Sequence, residues 1–241
     1  MAKRDDPFSG GRTYYCHPSL KRDGMPKIPH QSSATGMQVI PATGTAQGIK
    51  YKEQQALSSF KKGEEPLVIC SLGDGAITEG EVSEALQMAV LHNYPIIYLV
   101  QDNEWDISAH SSEIRAQDAP DYAKGFKGLK VESIDGTDFE ECFETMERVV
   151  NYVRKNRSPY LVHAKVPLLN HHTSGVRKEW YRSKENLESD ALRDPFGKLK
   201  NLLLKKNTPA KELNRIEEEA KNLVKEDFER ALLEPNPTEE D

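Results

Sequence analysis

The feature that most constrains the fold of this chain is a short apolar run that ends in a glycine-rich turn containing one acid. The run PLVICSL, residues 66–72, has the length and composition of a buried strand. The turn GDGAITEG follows, and apolar residues then recur at helical spacing, which indicates an amphipathic helix. The spacing of Thr78 and Glu81 predicts a capping box at the start of this helix. Its apolar positions are Val82, Ala85, Leu86, Ala89 and Val90.

A second apolar run, residues 96–100, leads into the turn Gln101-Asp102-Asn103. The order is therefore strand, glycine turn, helix, strand and acid–amide turn. In a parallel sheet both turns emerge at the same carboxyl edge, which is where ligands of open α/β sheets bind. This pattern predicts that the two turns form one site.

The residue types in these turns indicate a cation together with an anion. Glycine lets the backbone approach an anion closely, and a helix start offers unpaired N–H groups that suit a phosphate. A carboxylate aimed at a phosphate repels it unless a cation lies between them. Asp74 and Asn103 carry hard oxygen donors of the kind that Mg²⁺ takes alongside phosphate oxygens. The sequence thus predicts a metal–diphosphate site in which the Asp74 carboxylate is exposed at the sheet edge.

The stretch GDGAITEGEVSEALQMAVLHNYPIIYLVQDN resembles the thiamin-diphosphate signature. The sequence around it is similar to that of the α subunit of the 2-oxo acid dehydrogenase decarboxylase component. The branched-chain (2-oxoisovalerate) type is favoured over the pyruvate type. Further pieces resemble the same family in the same order along the chain. They are DPFSGGR at 6–12, SSATGMQ at 32–38, WDIS at 105–108, DG at 135–136, HHT at 171–173, YRS at 181–183 and DPF at 194–196.

The resemblance implies a set of cofactor contacts. Mg²⁺ would be held by Asp74, Asn103 and the main-chain carbonyl of Trp105. Ser33 and Thr35 would lie against thiamin diphosphate. The remaining implied cofactor positions are Gly73, Gly75, Ala76, Gln101, Asp106 and Ile107. Gln101 stands where some family members have an arginine on the diphosphate.

The resemblance also implies an active-site histidine in the polar loop at residues 170–183. His172, rather than His171, matches the family position near the reacting carbon. The alternative is that both histidines are only solvated side chains of a polar loop. Thr173 stands where animal members have a regulatory phosphoserine. Leu168 and Val176 replace the arginine and the acid that are usual in this loop.

Composition excludes several classes of protein. The net charge of -6 argues against general nucleic-acid binding. No apolar stretch approaches the length of a membrane span, and the N-terminus lacks the apolar core of a signal peptide. The three cysteines, Cys16, Cys70 and Cys142, have no zinc or CxxC spacing, which indicates a reducing compartment, the bacterial cytoplasm or the mitochondrial matrix.

Strands that alternate with helices predict a three-layer α/β sandwich with a mostly parallel sheet, of the thiamin-diphosphate-binding type by resemblance. Asp138 is expected to cap a helix. Further strands are predicted at 129–134 and 159–167, and further helices at 44–60, 118–126, 139–155, 194–204 and 209–233. We divide the chain into an irregular segment at 1–30, a diphosphate-binding domain at 31–170, and a loop with C-terminal helices at 171–241.

The resemblance implies thiamin-diphosphate-dependent oxidative decarboxylation of a 2-oxo acid, with acyl transfer to a lipoyl group on an acyltransferase core. In this family the cofactor lies across an interface, and a β subunit or fused β domain binds its pyrimidine. The chain is therefore expected to form half of a site, in an α2β2-type oligomer. The alternatives are a pyruvate, acetoin or transketolase-like enzyme, or a non-catalytic assembly remnant.

Overall fold

A computed structural model describes residues 3–6, 10–11, 23–29, 34–58, 60–61 and 63–240 of the chain. The chain divides into two compact units. The larger is Thr35–Leu199, and the smaller combines Met1–Ala34 with Lys200–Asp241. The glycine turn and the acid–amide turn both belong to the larger unit.

The larger unit is built on a four-stranded parallel sheet in the order β1-β2-β6-β5. The strands are β1 (Val68–Gly73), β2 (Ile96–Asp102), β5 (Lys130–Asp135) and β6 (Tyr160–Lys165), and a small antiparallel hairpin is formed by β3 (Trp105–Asp106) and β4 (Ala109–His110). The helices of this unit begin with α1 (Val39–Gln54), α2 (Gly80–His92), α3 (Ser111–Ile114) and α4 (Ala119–Ala123), and continue with α5 (Phe139–Asn156) and α6 (Lys184–Leu192). Helix α7 (Pro195–Lys205) crosses the boundary between the units.

Helices cover both faces of the sheet. Helices α1, α2 and α4 pack on one face, where Tyr98 and Val100 of β2 are fully buried. Helix α5 packs on the other face through Val149 and Val153, against the alternate residue Ile97. This alternation follows from the period of two in a strand, and burial on both faces explains why β2 is a nearly continuous apolar run. The three-layer α/β architecture with a parallel sheet is confirmed.

Two helix starts differ from the sequence-based expectation. Helix α1 begins at Val39 and ends at Gln54, earlier than the predicted 44–60. Its first turns are held by tertiary contacts, because Val39 is buried and Thr43 Oγ1 lies 2.7 Å from the Tyr98 hydroxyl. Those contacts outweigh the weak helix propensity of a segment rich in glycine and proline.

The predicted capping box at Thr78 and Glu81 is wrong. A three-residue 3₁₀ turn, Asp74–Ala76, follows β1 and delays the start of α2 to Gly80. Glu79 is the N-cap, and its side chain accepts no capping hydrogen bond. Glu81 still lies in the first turn, where a negative charge complements the helix dipole. The expected cap at Asp138 is confirmed, since its side chain accepts a hydrogen bond from the Glu141 N–H.

The smaller unit contains the long helix α8 (Ala210–Leu233) and described parts of the N-terminal segment. The Arg4 N–H donates to the Pro235 carbonyl at 3.0 Å, and Lys3 Nζ donates to the Leu232 carbonyl at 3.1 Å. Within the described ranges, no helix combines the length and the apolar character needed to cross a membrane.

Candidate functional site

The strand register brings the glycine turn and the acid–amide turn together. Gly73 at the end of β1 pairs with Gln101 near the end of β2, so the two strands reach the same sheet edge. The Asn103 N–H donates to Asp74 Oδ1 at 3.2 Å. The expected proximity of Asp74 and Asn103 is therefore observed, because parallel strands in register present their carboxyl ends side by side.

The burial of Asp74 corrects the expectation of an exposed carboxylate. Its side chain is only 2 % exposed, and Asp74 Oδ2 lies 2.7 Å from Arg115 Nη2. The two groups form a close ion pair, but they are not aligned for a hydrogen bond, so Asp74 Oδ2 is a buried oxygen without a hydrogen-bond partner. Burial arises because the 3₁₀ turn directs Asp74 under the segment that follows β2, rather than out from the edge.

Arg115 joins Asp74 to a second buried carboxylate. Its Nη2 also donates to Asp102 Oδ1 at 3.2 Å, and the Arg115 side chain is 5 % exposed. Asp102 Oδ2 accepts a 2.7 Å hydrogen bond from His163 Nε2, and Ser133 Oγ lies 3.1 Å from His163 Nδ1. The site is thus backed by a buried network that runs from the glycine turn to β5. Sequence reasoning missed Arg115 and His163.

The two carboxylates of this network ionise differently. Burial raises the pKa of Asp74 to about 6, the nearby Asp102 charge adds to the rise, and Arg115 only partly opposes it. For Asp102, burial also disfavours the charge, but the hydrogen bonds from His163 and the Glu104 N–H, with the Arg115 charge, hold the pKa below its usual range. Asp102 is therefore the carboxylate that stays charged, whereas the charged form of Asp74 is disfavoured by burial.

Gly75 is required for close packing inside the site. A Cβ atom built on Gly75 would lie 2.9 Å from Asp106 Cγ, so a larger residue would displace the Asp106 side chain. Asp106 thus lies directly against the glycine turn. It adds a third carboxylate beside Asp74 and Asp102, which gives this edge of the sheet an excess of negative charge.

The hairpin after Asn103 carries two further predicted site residues. The Trp105 N–H donates to Asn103 Oδ1 at 2.9 Å, which leaves this amide oxygen a second lone pair. Ile107, in the hairpin turn, adopts a φ of 55° and is 45 % exposed. A left-handed conformation is unfavourable for a β-branched residue, and such strain concentrates at functional positions.

The remaining predicted cofactor positions differ in their exposure to solvent. Ala76 is buried in the 3₁₀ turn, whereas Gln101 is exposed and its Oε1 accepts a 2.8 Å hydrogen bond from Ser71 Oγ. Thr35 is exposed and precedes Gly36, which lies against the Glu79 side chain near the start of α2. This contact places the Thr35 turn close to the glycine turn. Ser33 lies outside the described residues.

A separate network braces the loop that carries His172. Arg182 is fully buried at its side chain, donates to the Leu168 carbonyl at 2.8 Å and pairs with Asp190 at 2.6 Å. Asp190 also accepts a hydrogen bond from the Leu168 N–H, so the loop is closed without the arginine that is usual at position 168.

The same loop contacts the β3–β4 hairpin through Trp105. The Trp105 ring lies 5.2 Å from the Tyr181 ring and 5.3 Å from the Arg182 guanidinium. His172 itself is exposed, and among the described residues its ring has no hydrogen-bond or ring partner. His171 is engaged instead, since its Nδ1 accepts a hydrogen bond from the Lys178 N–H at 3.2 Å.

The donor set at the two turns fits a Mg²⁺ ion in its chemistry. Asp74 offers a buried oxygen with no hydrogen-bond partner, and Asn103 offers an amide oxygen with one lone pair free. Magnesium typically takes one or two protein oxygen ligands and completes its octahedron with phosphate oxygens and water. Among the described residues no group of three or more His, Cys, Asp or Glu side chains could hold a metal, so a phosphate-bearing partner ligand is required.

Comparison with known proteins identifies the family. A sequence model of the dehydrogenase E1 component matches residues 10–240, which is nearly the whole chain. The chain belongs to the dehydrogenase E1 component family. The resemblance inferred from the sequence is thereby confirmed at the level of the family.

The relatives include α subunits named for two different substrates. The pyruvate dehydrogenase E1 component subunit alpha of Rickettsia bellii is 32% identical over 209 residues, which cover 86% of this chain and 60% of the relative. The 3-methyl-2-oxobutanoate dehydrogenase subunit alpha of Mycobacterium tuberculosis is 32% identical over 153 residues, 61% of this chain and 40% of the relative. This chain therefore spans about 60% of the length of the pyruvate-type relatives.

A solved structure is also similar over part of the chain. A transketolase from Campylobacter jejuni aligns with a TM-score of 0.47 and 27% identity, covering 54% of this chain and 20% of the transketolase.

Proposed function

We propose that this protein is the diphosphate-binding, α-type half of a thiamin-diphosphate enzyme that decarboxylates a 2-oxo acid. The observation that carries the proposal is the meeting of Asp74 and Asn103 at one sheet edge, where a buried carboxylate oxygen lacks a hydrogen-bond partner. Membership of the dehydrogenase E1 component family supports the same assignment. Thiamin diphosphate would supply the nucleophilic carbon that removes carbon dioxide from the 2-oxo acid.

The residues of the two turns would hold the diphosphate end. Asp74, Asn103 and the Trp105 carbonyl are proposed to bind Mg²⁺, which would screen the diphosphate from the carboxylates of Asp102 and Asp106. The main chain of 73–76 would lie along the diphosphate. Asp102 takes no metal in this proposal, because its oxygens already accept hydrogen bonds from His163, the Glu104 N–H and Arg115.

Ile107 and His172 are proposed to act at the reacting end. The strained backbone of Ile107 directs an apolar side chain out of the hairpin, where it could support the thiazolium ring. His172 lies in the same loop as Tyr181, whose ring packs on Trp105, and this supports placing His172 near the cofactor. A histidine there could stabilise charge or exchange a proton near neutral pH.

The acyl acceptor and the partners follow from the family. A β subunit or fused β domain would bind the pyrimidine, and a lipoyl group on an acyltransferase core would take the acyl group. The 2-oxo acid remains open between two types. The sequence motifs favour the branched-chain acid. The match to the pyruvate dehydrogenase relative, however, covers more of this chain than the match to the 3-methyl-2-oxobutanoate dehydrogenase relative.

Calorimetric titration with thiamin diphosphate and Mg²⁺ tests the proposal. The purified chain, with a coexpressed β partner where one is found, should bind the cofactor only when Mg²⁺ is present, and Asp74→Ala should abolish this binding. Asp121→Ala is a matched control, because Asp121 is exposed and, within the described part of the chain, its side chain pairs with Lys124 alone. Equal affinity in wild type and Asp74→Ala would refute the metal assignment.

A non-catalytic assembly role is the alternative, and one observation favours it. Arg115 already forms an ion pair with Asp74, so an internal cation lies where the proposed metal would bind. Failure of the wild-type chain and its β partner to bind Mg²⁺ and thiamin diphosphate would support this alternative.

A further inference from the structure

Arg115 contacts both buried carboxylates, but its two contacts differ in geometry. It donates a hydrogen bond to Asp102 Oδ1 at 3.2 Å, whereas its 2.7 Å contact with Asp74 Oδ2 lacks hydrogen-bond alignment. Asp102 is held in addition by His163 and by the Glu104 N–H. Asp102 is therefore the fixed partner of Arg115, and Asp74 is the exchangeable one.

The contact with Asp74 is also incomplete on the arginine side. Arg115 Nη1 is buried and has no hydrogen-bond partner, as is the case for Asp74 Oδ2. Buried polar atoms without partners are uncommon in folded proteins, and each one calls for an explanation. Two of them on one ion pair leave hydrogen-bonding capacity in the pair that a further ligand can use.

We propose that Arg115 is a built-in cation that occupies Asp74 in the metal-free protein and is displaced from it when a divalent cation binds. This inference rests on the proposed function. Asp74 Oδ1 already accepts the Asn103 N–H, so Oδ2 is the oxygen left for a metal. A magnesium ion needs to lie about 2.1 Å from its ligand oxygen. A guanidinium nitrogen at 2.7 Å from the same buried oxygen competes for that position and repels the metal.

Displacement leaves Arg115 in a favourable position. Asp102 Oδ1, which Arg115 Nη2 already contacts at 3.2 Å, would remain its carboxylate partner, and Nη1 has unused donor capacity. Arg115 therefore lowers the affinity of the site for a metal. In the metal-free chain it offsets the repulsion between the carboxylates of Asp74 and Asp102.

The test is the affinity of the purified full chain for Mn²⁺, measured by calorimetry with thiamin diphosphate at the same fixed concentration for every variant, because the site needs phosphate oxygens to complete the coordination of the metal. The key variant is the double substitution Arg115→Gln with Asp102→Asn. It removes one positive and one negative charge, so the net charge around Asp74 is unchanged while the guanidinium no longer lies beside Oδ2. We expect about tenfold tighter Mn²⁺ binding than in wild type, about 1.4 kcal/mol, because the guanidinium no longer has to be displaced from Oδ2.

Two further variants make the result specific. Arg148→Gln removes an arginine from a surface pair with Glu132 and should leave Mn²⁺ affinity unchanged. Asp74→Asn should abolish Mn²⁺ binding. Circular dichroism checks that each variant is folded, and the single variant Arg115→Lys, which keeps the charge, should remain close to wild type if the double variant is unfolded.

The outcomes separate this inference from the proposed function. Equal or weaker Mn²⁺ binding by the folded double variant overturns the role of Arg115, because a phosphate-binding or structural arginine would not compete with the metal. Markedly tighter binding by Arg115→Lys, with the positive charge still present, overturns it as well. Mn²⁺ binding that survives Asp74→Asn lies elsewhere on the protein and overturns both this inference and the proposed function.

Discussion

Replacing Asp74 by Asn should stabilise the cofactor-free protein at neutral pH. Burial beside Asp102 raises the pKa of Asp74 from its ordinary 3.8 to about 6. In the unfolded chain the carboxyl loses its proton near pH 4, whereas in the folded chain it holds the proton to higher pH. The Asp74 contribution to stability is therefore fully present below pH 4 and is lost as the pH rises through about 6.

The size of the effect follows from this shift. A shift of roughly two pKa units corresponds to about 3 kcal/mol of free energy, which is an upper bound because Asn also loses the Arg115 contact. The Asn side chain keeps an acceptor for the Asn103 N–H, which Asp74 Oδ1 accepts in the native protein. We expect Asp74→Asn to raise the free energy of unfolding by about 1–3 kcal/mol at pH 8 and to change it little at pH 4.

Urea unfolding followed by circular dichroism between pH 4 and pH 8 measures the difference. Asp102→Asn is the matched control, because hydrogen bonds and the Arg115 charge hold the Asp102 pKa low. A carboxylate with a lowered pKa contributes stability at neutral pH that is lost on acidification, so Asp102→Asn should destabilise the protein, and most at pH 8. Saturating Mg²⁺ and thiamin diphosphate should raise the unfolding midpoint of wild type but not of Asp74→Asn.

The reasoning is refuted if Asp74→Asn unfolds more easily than wild type at pH 8 with an unchanged urea dependence. That result would mean that the ion pair with Arg115 outweighs the desolvation of Asp74. The Asp74 carboxylate would then be a structural group, and its retention would need no ligand to explain it.

Three further predictions concern the hairpin and the loop. In the complex with the β partner, His172→Ala should lower turnover about 10²–10⁴-fold with little change in cofactor affinity, whereas His171→Ala should lower turnover only slightly. Steady-state kinetics measures turnover and calorimetry measures cofactor affinity. A larger loss of turnover in His171→Ala than in His172→Ala would contradict the assignment. Ile107→Gly should stabilise the cofactor-free fold by about 1 kcal/mol in urea unfolding, because glycine adopts the positive φ without strain, yet weaken thiamin diphosphate binding. Arg182→Ala should lower the free energy of unfolding by about 3 kcal/mol, because it leaves the Asp190 carboxylate without its ion-pair partner. Proteases should then cleave the loop at 170–181 faster than in wild type. An unchanged rate of cleavage would show that Arg182 does not hold the loop.

The strand–turn–helix–strand order could be predicted from the sequence because its signals are local. Apolar runs, glycines and helical spacing identify each element, and the carboxyl edge of a parallel sheet then brings Asp74 and Asn103 together without further information. The start of α1 could not be predicted this way. Its first turns depend on the burial of Val39 and on the contact between Thr43 and Tyr98, which join residues far apart in the chain.

The electrostatics of the site were decided only by the tertiary structure. His163 is placed beside Val100 by the pairing of β6 with β2, and this strand order has no signature in the local sequence. Arg115 reaches Asp74 because the hairpin after Asn103 folds back over the glycine turn, so an arginine that appears in the sequence as an ordinary loop charge becomes a buried counter-ion. The sequence by itself determined which donor groups meet at the sheet edge. Only the fold determined that they are buried, paired and unequal in charge, because burial and pairing depend on residues that approach from other elements.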